Sequence, residues 1–215
     1  MATRDRTPDR PPRSPRRLVS RPQLLDAARE VVTEHGYRGA SVAAIAGRAG
    51  ISNGALYRHF PSKVDLFVEV FRDVCDRDIR AAQRVSAGLA DPLEKLDAIL
   101  ENFAIRALGN PKLAWALIAE PVDPAIEEVR LEYRRTYGRA IDQLLRQATA
   151  AGTIPQQDTE VAAAALIGAG NEVLAGPLSP LSDRTRDLDS VIATLRRMSR
   201  RAIGAADSPA AGPTA

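Results

Sequence analysis

The chain has 215 residues, 45% of them hydrophobic, which is enough apolar material for one large domain or two small ones. Only 4% of the residues are aromatic, while alanine, leucine and arginine abound, a composition that favours an all-helical fold. No apolar run approaches the roughly 18 residues of a transmembrane helix, so we expect no membrane span. The single cysteine, Cys75, excludes an internal disulfide and fits a reducing cytoplasm, with a buried thiol on a helix as its simplest role.

Charge is distributed unevenly along the chain. The formal net charge is +3, but residues 1–65 hold twelve Lys/Arg against six Asp/Glu, a balance of +6, and the remainder balances to −3. A positive field confined to one end predicts an anionic partner there, as phosphate binding requires. A basic segment that only aids solubility is the alternative.

Residues 1–20 are rich in proline and arginine, lack apolar periodicity and carry six Arg against two Asp. They have no apolar h-region, so we expect no secretory signal, and we interpret them as a disordered tail. Such an arm can lie along phosphates or enter a minor groove, or it can be passive. The first ordered helix is predicted from about Pro22 to Glu34, with Gly36 following its end.

The next segment predicts two short helices joined by a glycine turn. Ser41 is a natural N-cap for the first helix, and Gly50 suits the left-handed residue that ends it. Ser52 caps the second helix, in which Leu56 and Phe60 are four residues apart and can enter the core together. This arrangement is typical of a helix-turn-helix DNA reader, although similar helix pairs occur in proteins that never touch DNA.

The exposed face of the second helix supplies candidate DNA contacts. Asn53 could read a base edge and Tyr57 could reach the groove, while Gly54 allows close approach of the backbone. Capped helix N-termini and basic or hydroxyl side chains are suited to phosphates. Tyr57 and His59 could instead be a half-buried aromatic and its neighbour. The candidate residues are Ser41, Ser52, Asn53, Gly54, Ala55, Tyr57, Arg58, His59 and Lys63.

The run from Arg21 to about Phe71 closely resembles the N-terminal domain of TetR-family transcriptional repressors. The matching residues are Leu25, Ala27, Ala28, Gly36, Tyr37, Ser41, Val42, Ile45, Ala46, Ala49, Gly50, Ile51, Ser52, Gly54, Leu56, Tyr57, His59, Phe60, Ser62, Lys63 and Leu66. Two mild departures are Val64-Asp65, where a lysine-glutamate pair commonly stands, and the early Pro22. The resemblance implies a regulator, most simply a repressor, that binds a double-stranded, palindromic operator.

The rest of the chain predicts a second set of helices. We predict a strut from Ser62 to about Ala87, then amphipathic helices separated by proline, glycine or asparagine breaks. Asp123 is the expected cap of the longest of them. The predicted segments are a stripe from Leu93 to Ala107, then Leu113–Ala119, Pro124–Ala151, Thr159–Ala175 and Arg184–Ile203.

The last two helices, about 159–203, form a candidate dimerisation unit. The first is dense in alanine and glycine, which lets helices approach closely, and the second has a broad apolar face opposite four arginines. Two such pairs would make a four-helix bundle. They could instead pack only within one chain, but TetR-like proteins pair through their last two long helices, so the resemblance favours a homodimer.

TetR-like proteins usually carry a small-molecule pocket in the C-terminal helices, so the resemblance also implies an unknown effector. A pocket needs mostly apolar walls with a few polar anchors. Each aromatic candidate could equally be plain core, and Asn171 could be a dimer-interface hydrogen bonder. The candidate residues are Asn102, Phe103, Arg106, Trp115, Glu120, Tyr133, Tyr137 and Asn171.

Two rival classes are disfavoured. An enzyme would need chemistry that the chain does not display, since its two histidines, His35 and His59, have no metal-ligand spacing and no glycine-rich phosphate loop follows a strand. We therefore predict no catalytic residue, metal or cofactor. A helical protein-binding module would lack a salt-sensitive preference for one DNA site.

The sequence thus predicts an all-α protein. Its N-terminal three-helix helix-turn-helix domain is followed by a C-terminal helical ligand-binding and dimerisation domain. The expected divisions are a basic tail (1–20), the DNA-binding domain (21–66), the effector and dimerisation domain (67–204) and a disordered tail (205–215).

Overall fold

The computed structural model describes residues 19–179 and 187–205, and this part of the chain forms nine α-helices without a strand. The predicted all-α class is confirmed. The predicted tails fall almost entirely outside the described residues, as does the expected start of the last helix at Arg184. The helices are α1 (Arg21–Gly39), α2 (Val42–Ala49), α3 (Asn53–His59), α4 (Lys63–Ser86), α5 (Pro92–Gly109), α6 (Pro111–Ile118), α7 (Pro124–Ala150), α8 (Thr159–Leu178) and α9 (Leu188–Ala202).

The first helix is longer than the sequence predicted, because it resumes beyond a kink at Gly36. Gly36 has φ 70° and ψ 177°, a backbone conformation that is essentially restricted to glycine. The kink directs Tyr37 into the core, where its ring packs edge-on against Phe67 with 4.8 Å between ring centroids. Gly36 therefore acts as a joint between the body of α1 and the turn that leads to α2.

Helices α1 to α4 share one apolar core. The side chains of Leu24, Ile45, Leu56, Phe60 and Phe67 are all essentially inaccessible to solvent. The same cluster includes buried residues of α6 and α7, so the first helices are packed directly against the second set. Helix α4 runs without a break through the predicted domain boundary at residue 66.

Serine occupies the N-cap of each of the first four helices, and the three serines predicted as caps accept backbone hydrogen bonds. The Oγ atoms of Ser41, Ser52 and Ser62 accept hydrogen bonds from backbone N–H groups three residues later, at 3.1 to 3.2 Å. Asp123 differs from its prediction. It occupies the N-cap position of α7, but its carboxylate makes no cap bond and instead accepts a hydrogen bond from the Tyr37 hydroxyl. A long-range partner has thus replaced the local one.

The second set of helices surrounds two smaller apolar clusters. One contains Leu96, Leu145 and Leu166, and the other contains Leu174 and Leu195. Among the described helices, none is long and apolar enough to span a bilayer.

Helix α6 lies against α1 and is tied to it by polar contacts at its start. Lys112 Nζ donates to the Glu34 carbonyl at 2.6 Å, and Asn110 Nδ2 donates to Thr33 Oγ1 at 3.2 Å. Both acceptors precede Gly36, so these contacts fix the body of α1 rather than the turn that follows it.

A buried ion pair fastens α9 to α5. The Asp97 side chain is 4% exposed, and its Oδ2 accepts from Arg200 Nε at 2.9 Å and from Arg196 Nη2 at 3.2 Å. The Arg200 side chain is itself only 11% exposed. Because a buried charge that loses its partner is strongly unfavourable, this contact should hold the last helix in place.

We expect Asp97→Ala to lower the free energy of unfolding by about 3 kcal/mol, since it leaves Arg200 buried without its carboxylate. Chemical denaturation followed by circular dichroism measures this change. The matched control is Glu101→Ala, whose 42% exposed carboxylate lies 3.8 Å from Arg196 and should contribute less than about 1 kcal/mol. Equal losses from the two variants would contradict the role assigned to Asp97.

Candidate DNA interface and effector cavity

The geometry of α2 and α3 is set by one turn. Gly50 ends α2 with φ 69° and ψ 31°, and the Ile51 N–H returns to the Ala46 carbonyl at 3.0 Å. Leu56 and Phe60 are each 1% exposed and bury one face of α3. The opposite face of α3 is therefore directed outward, as the sequence predicted for a recognition helix.

The candidate DNA-contacting residues lie mostly on one exposed surface. Tyr57 is 46% exposed, an unusual state for a large aromatic side chain on a short helix. Ala55 and Lys63 are half-buried. The remaining candidates are exposed and comprise Ser41, Ser52, Asn53, Gly54, Arg58 and His59. Their individual roles stay predictions.

The fold does not require a glycine at position 54. A Cβ atom built there would meet no other atom within 4 Å, and Gly54 has ordinary helical backbone angles. The missing side chain therefore leaves open space above the N-terminal turn of α3. A backbone surface of this kind suits close approach of a large partner.

The ammonium group of Lys63 lies against aromatic rings of the core rather than extending freely into solvent. Its Nζ lies 5.0 Å from the Tyr37 ring centroid and 5.4 Å from that of Phe67, within cation–π range. The ammonium group is thus positioned by the same aromatic pair that anchors the turn after Gly36.

Two arginines that the sequence did not indicate support this surface. Arg21 donates to the His59 carbonyl at 2.9 Å and stacks over the Phe60 ring, so it braces the end of α3. Arg48 is paired with Glu30 and Glu34 of α1. The partners of both arginines are at least 14 residues away in sequence, so helical spacing gave no indication of these contacts.

A cavity of about 840 Å³ lies among α4, α5, α7 and α8, within the usual range for small-molecule sites. Six of the eight predicted pocket residues line it, namely Asn102, Phe103, Arg106, Tyr133, Tyr137 and Asn171. Cavity-lining residues that the sequence did not indicate include Arg29 of α1, Lys95 of α5 and Arg134 of α7.

The other two predicted pocket residues, Trp115 and Glu120, do not line the cavity. Trp115 packs against the apolar cluster that contains Leu174 and Leu195. Glu120 is 6% exposed and faces the end of α1, where its carboxylate accepts hydrogen bonds from the backbone N–H groups of Tyr37 and Arg38. Position near an apolar stripe could not distinguish a cavity wall from these two environments.

Besides the cations Arg29, Lys95, Arg130 and Arg134, the cavity wall contains the Asp78–Arg106 pair and several neutral polar groups. Asp78 pairs with Arg106, and burial raises the pKa of the Asp78 carboxyl. Burial also raises the pKa of the Tyr137 phenol and brings that of the Cys75 thiol to about 12, so both stay neutral near pH 7. Among the described residues, no group of three or more His, Cys, Asp or Glu is placed to hold a metal ion.

Comparisons with known proteins agree with this geometry. The family described as "Bacterial regulatory proteins, tetR family" matches residues 24–70, and the family described as "Tetracyclin repressor-like, C-terminal domain" matches residues 89–175. A helix-turn-helix DNA-binding unit is thus joined to a helical regulatory unit. The chain belongs to the TetR family of bacterial transcriptional regulators, and as such it is a DNA-binding protein.

Individual relatives match over part of their length. The transcriptional activator FasR of Mycolicibacterium smegmatis is 37% identical over 83 residues, which cover 39% of this chain and 38% of FasR. The transcriptional repressor KstR of Mycobacterium tuberculosis is 33% identical over 98 residues, 45% of this chain and 44% of KstR. The chain thus matches less than half the length of these two curated relatives.

The fold extends over a larger share of solved structures. The regulator FadR of Bacillus subtilis, solved in complex with stearoyl-CoA, superposes with a TM-score of 0.74 at 23% sequence identity. That superposition covers 84% of this chain and 97% of the FadR chain. At this identity the likeness shows a shared fold.

We expect the two kinds of DNA contact to separate on mutation. Lys63→Ala should weaken binding to all DNA sequences alike, because a phosphate contact carries no sequence information. Asn53→Ala should instead change the preference at one base position and cost about 1–3 kcal/mol there. Binding to a panel of single-base operator variants measures both effects, with thermal melting as the folding control. If both variants relax sequence preference equally, this division of roles is wrong.

Proposed function

We propose that this regulator is a ligand-responsive repressor. In this proposal it binds an inverted-repeat operator as a homodimer and is released from it by a small molecule. The observation that carries the proposal is the joint presence of an outward recognition helix and a large cavity in one packed chain. A reader and a ligand site that share one core can influence each other through it.

A palindromic operator follows from the size of the reading surface. Helix α3 has seven residues, so one chain can reach only one short half-site in a major groove. Two chains related by a two-fold axis would present two α3 helices to half-sites about 34–36 Å apart. We propose Asn53 and Tyr57 as groove contacts, with Ser41, Ser52, His59 and Lys63 at phosphates.

The outer face of α8 supports a homodimer. Between Val161 and Gly170, helix α8 carries only apolar residues, and Ala163, Leu166 and, further along, Leu174 bury its inner face. Its outer face leaves Val161 64% exposed beside exposed alanine and glycine residues. A helix that is apolar all round is normally covered on all sides. We propose that a second copy covers this face, with α9 beside it.

The apolar stripe of α9 is mostly covered within the chain, so in the proposed dimer it has little free surface to contribute. Val191 and Leu195 are buried within the chain, and Ile192 and Met198 are half-buried against the same cluster. The outward side of α9 carries Ala193, Thr194 and Arg197 instead. In the proposed dimer, α8 therefore provides most of the apolar contact and α9 provides a polar border.

We propose that the effector combines a long apolar chain with an anionic head, as in an acyl-coenzyme A thioester. Phe103, Leu144 and Ile167 offer an apolar lining, while Lys95 and Arg134 supply cations to the same wall. The stearoyl-CoA complex of the structurally similar FadR supports this class of ligand.

Selection of bound fragments from a random DNA pool, at near-physiological salt, tests the operator. We expect a palindromic motif, because each protomer of a symmetric dimer reads the same half-site in opposite orientation. Affinity for that motif should fall steeply as salt rises while preference for it persists. Recovery of a single unrepeated half-site, or of no motif, would contradict the dimeric reader.

Palmitoyl-CoA is the probe for the effector. It should bind the wild-type protein and weaken operator binding, whereas Ile167→Trp should reduce its affinity at least about tenfold because the larger side chain occupies the cavity. The matched control, Val85→Trp, places the same side chain at a 44% exposed site outside the cavity lining. Isothermal titration calorimetry measures the affinities. Unchanged binding by Ile167→Trp would exclude this cavity as the site.

A further inference from the structure

A buried carboxylate lies between the cavity and the DNA reader. Glu120 Oε2 accepts from the Tyr37 N–H at 3.0 Å, and Oε1 accepts from the Arg38 N–H at 3.1 Å, across 83 and 82 positions of sequence. We propose that Glu120 is a positioning residue that couples occupancy of the cavity to the orientation of α2 and α3. The proposal deepens the effector response proposed above and rests on it.

On the DNA side, the two bonded N–H groups belong to the turn that starts α2. Tyr37 and Arg38 follow the Gly36 joint directly, and Ser41, the N-cap of α2, comes three residues after Arg38. The Tyr37 hydroxyl also donates to Asp123, which holds the same turn a second time. Any displacement of Glu120 would therefore be transmitted to α2 through only a few residues.

On the cavity side, two arginines donate hydrogen bonds to backbone carbonyls of the segment that ends at Glu120. Arg130, with a side chain 10% exposed, donates to the carbonyls of Leu117 and Glu120 at 2.9 Å each and to that of Ala116 at 3.1 Å. Arg134 donates to the Ile118 carbonyl at 3.3 Å. Both arginines line the cavity, so a ligand that contacts either one acts on the end of α6.

The Gly36 joint explains why Glu120 in particular has this role. Upstream of the joint, α6 is tied to the body of α1 through Lys112 and Asn110. Downstream of it, the directional contacts from the α6–α7 segment are those of Glu120 and Asp123. The apolar contacts between the two helix sets are non-directional and tolerate sliding. The Glu120 bonds therefore tie the start of α2 to α6, whereas the Arg48 pairs with Glu30 and Glu34 tie α2 only to α1.

The test compares Glu120→Gln with Glu128→Gln, the same change at an exposed residue of α7. Operator affinity is measured with and without saturating palmitoyl-CoA, and the affinity for palmitoyl-CoA is measured directly. The side-chain amide introduced by Glu120→Gln has one acceptor oxygen in place of two, so it should loosen the turn without touching the cavity. We expect this variant to bind the probe within about threefold of wild type, since Glu120 is not in the cavity lining.

The expected signature is a loss of coupling with retained binding at both sites. Wild type and Glu128→Gln should lose operator affinity about 10- to 100-fold on probe binding, and Glu120→Gln less than about threefold. A purely structural role would lower stability and both affinities while keeping that ratio. An unchanged ratio in a folded Glu120→Gln protein overturns the proposal.

Amide hydrogen exchange tests the role of Glu120 even if palmitoyl-CoA is not the effector. If wild type does not respond to palmitoyl-CoA, the proposed effector fails, but the bonds from Glu120 to the turn still predict that operator binding alters the end of α6. Operator DNA should then change amide exchange at residues 116–120 in wild type and not in Glu120→Gln. Equal changes in the two proteins would show that coupling does not pass through Glu120.

Discussion

The turn after Gly36 is the contact on which the two halves of this protein depend. Its left-handed glycine allows Tyr37 to enter the core, where the ring meets Phe67 and Lys63 of α4. The same residue bonds through its backbone N–H to Glu120 and through its hydroxyl to Asp123. The Tyr37 side chain and the peptide N–H groups of Tyr37 and Arg38 thus connect this turn with the α6–α7 segment. Because the Tyr37 N–H and the Glu120 carboxylate are withdrawn from water, leaving either one unpaired costs more than the bond itself contributes.

The sequence predicted those features that local chemistry determines. Gly50, Ser52, Leu56 and Phe60 lie within one supersecondary unit, and their spacing alone fixes the caps, the turn and the buried face of α3. Arg21 and Arg48 were missed because their partners come from other helices. The kink at Gly36 was also missed, since a glycine at the end of a periodic run was interpreted as a stop. It is a joint within a longer helix.

The predicted effector-site residues also divide into those whose position follows from local periodicity and those whose position depends on distant partners. Phe103 and Arg106 lie on one helix with a clear amphipathic period, and both reach the cavity. Trp115, Glu120 and Asp123 lie around the short α6 and the turn after it, where periodicity is too brief to assign a direction. Their environments depend on residues about 80 positions away or on the packing of α8. Non-local hydrogen bonds replaced the anchor predicted for Glu120 and the cap predicted for Asp123.

The central claim is that effector binding changes the geometry with which two recognition helices meet DNA. The most direct measurement is the distance between spin labels on the two protomers of Gly47→Cys, an exposed site on α2 where an added Cβ meets no other atom within 4 Å, in a protein whose buried Cys75 is replaced by alanine. The account predicts one narrow distance distribution with operator DNA and a displaced distribution with palmitoyl-CoA. Identical distributions in the two states, with both ligands shown to be bound, would contradict it.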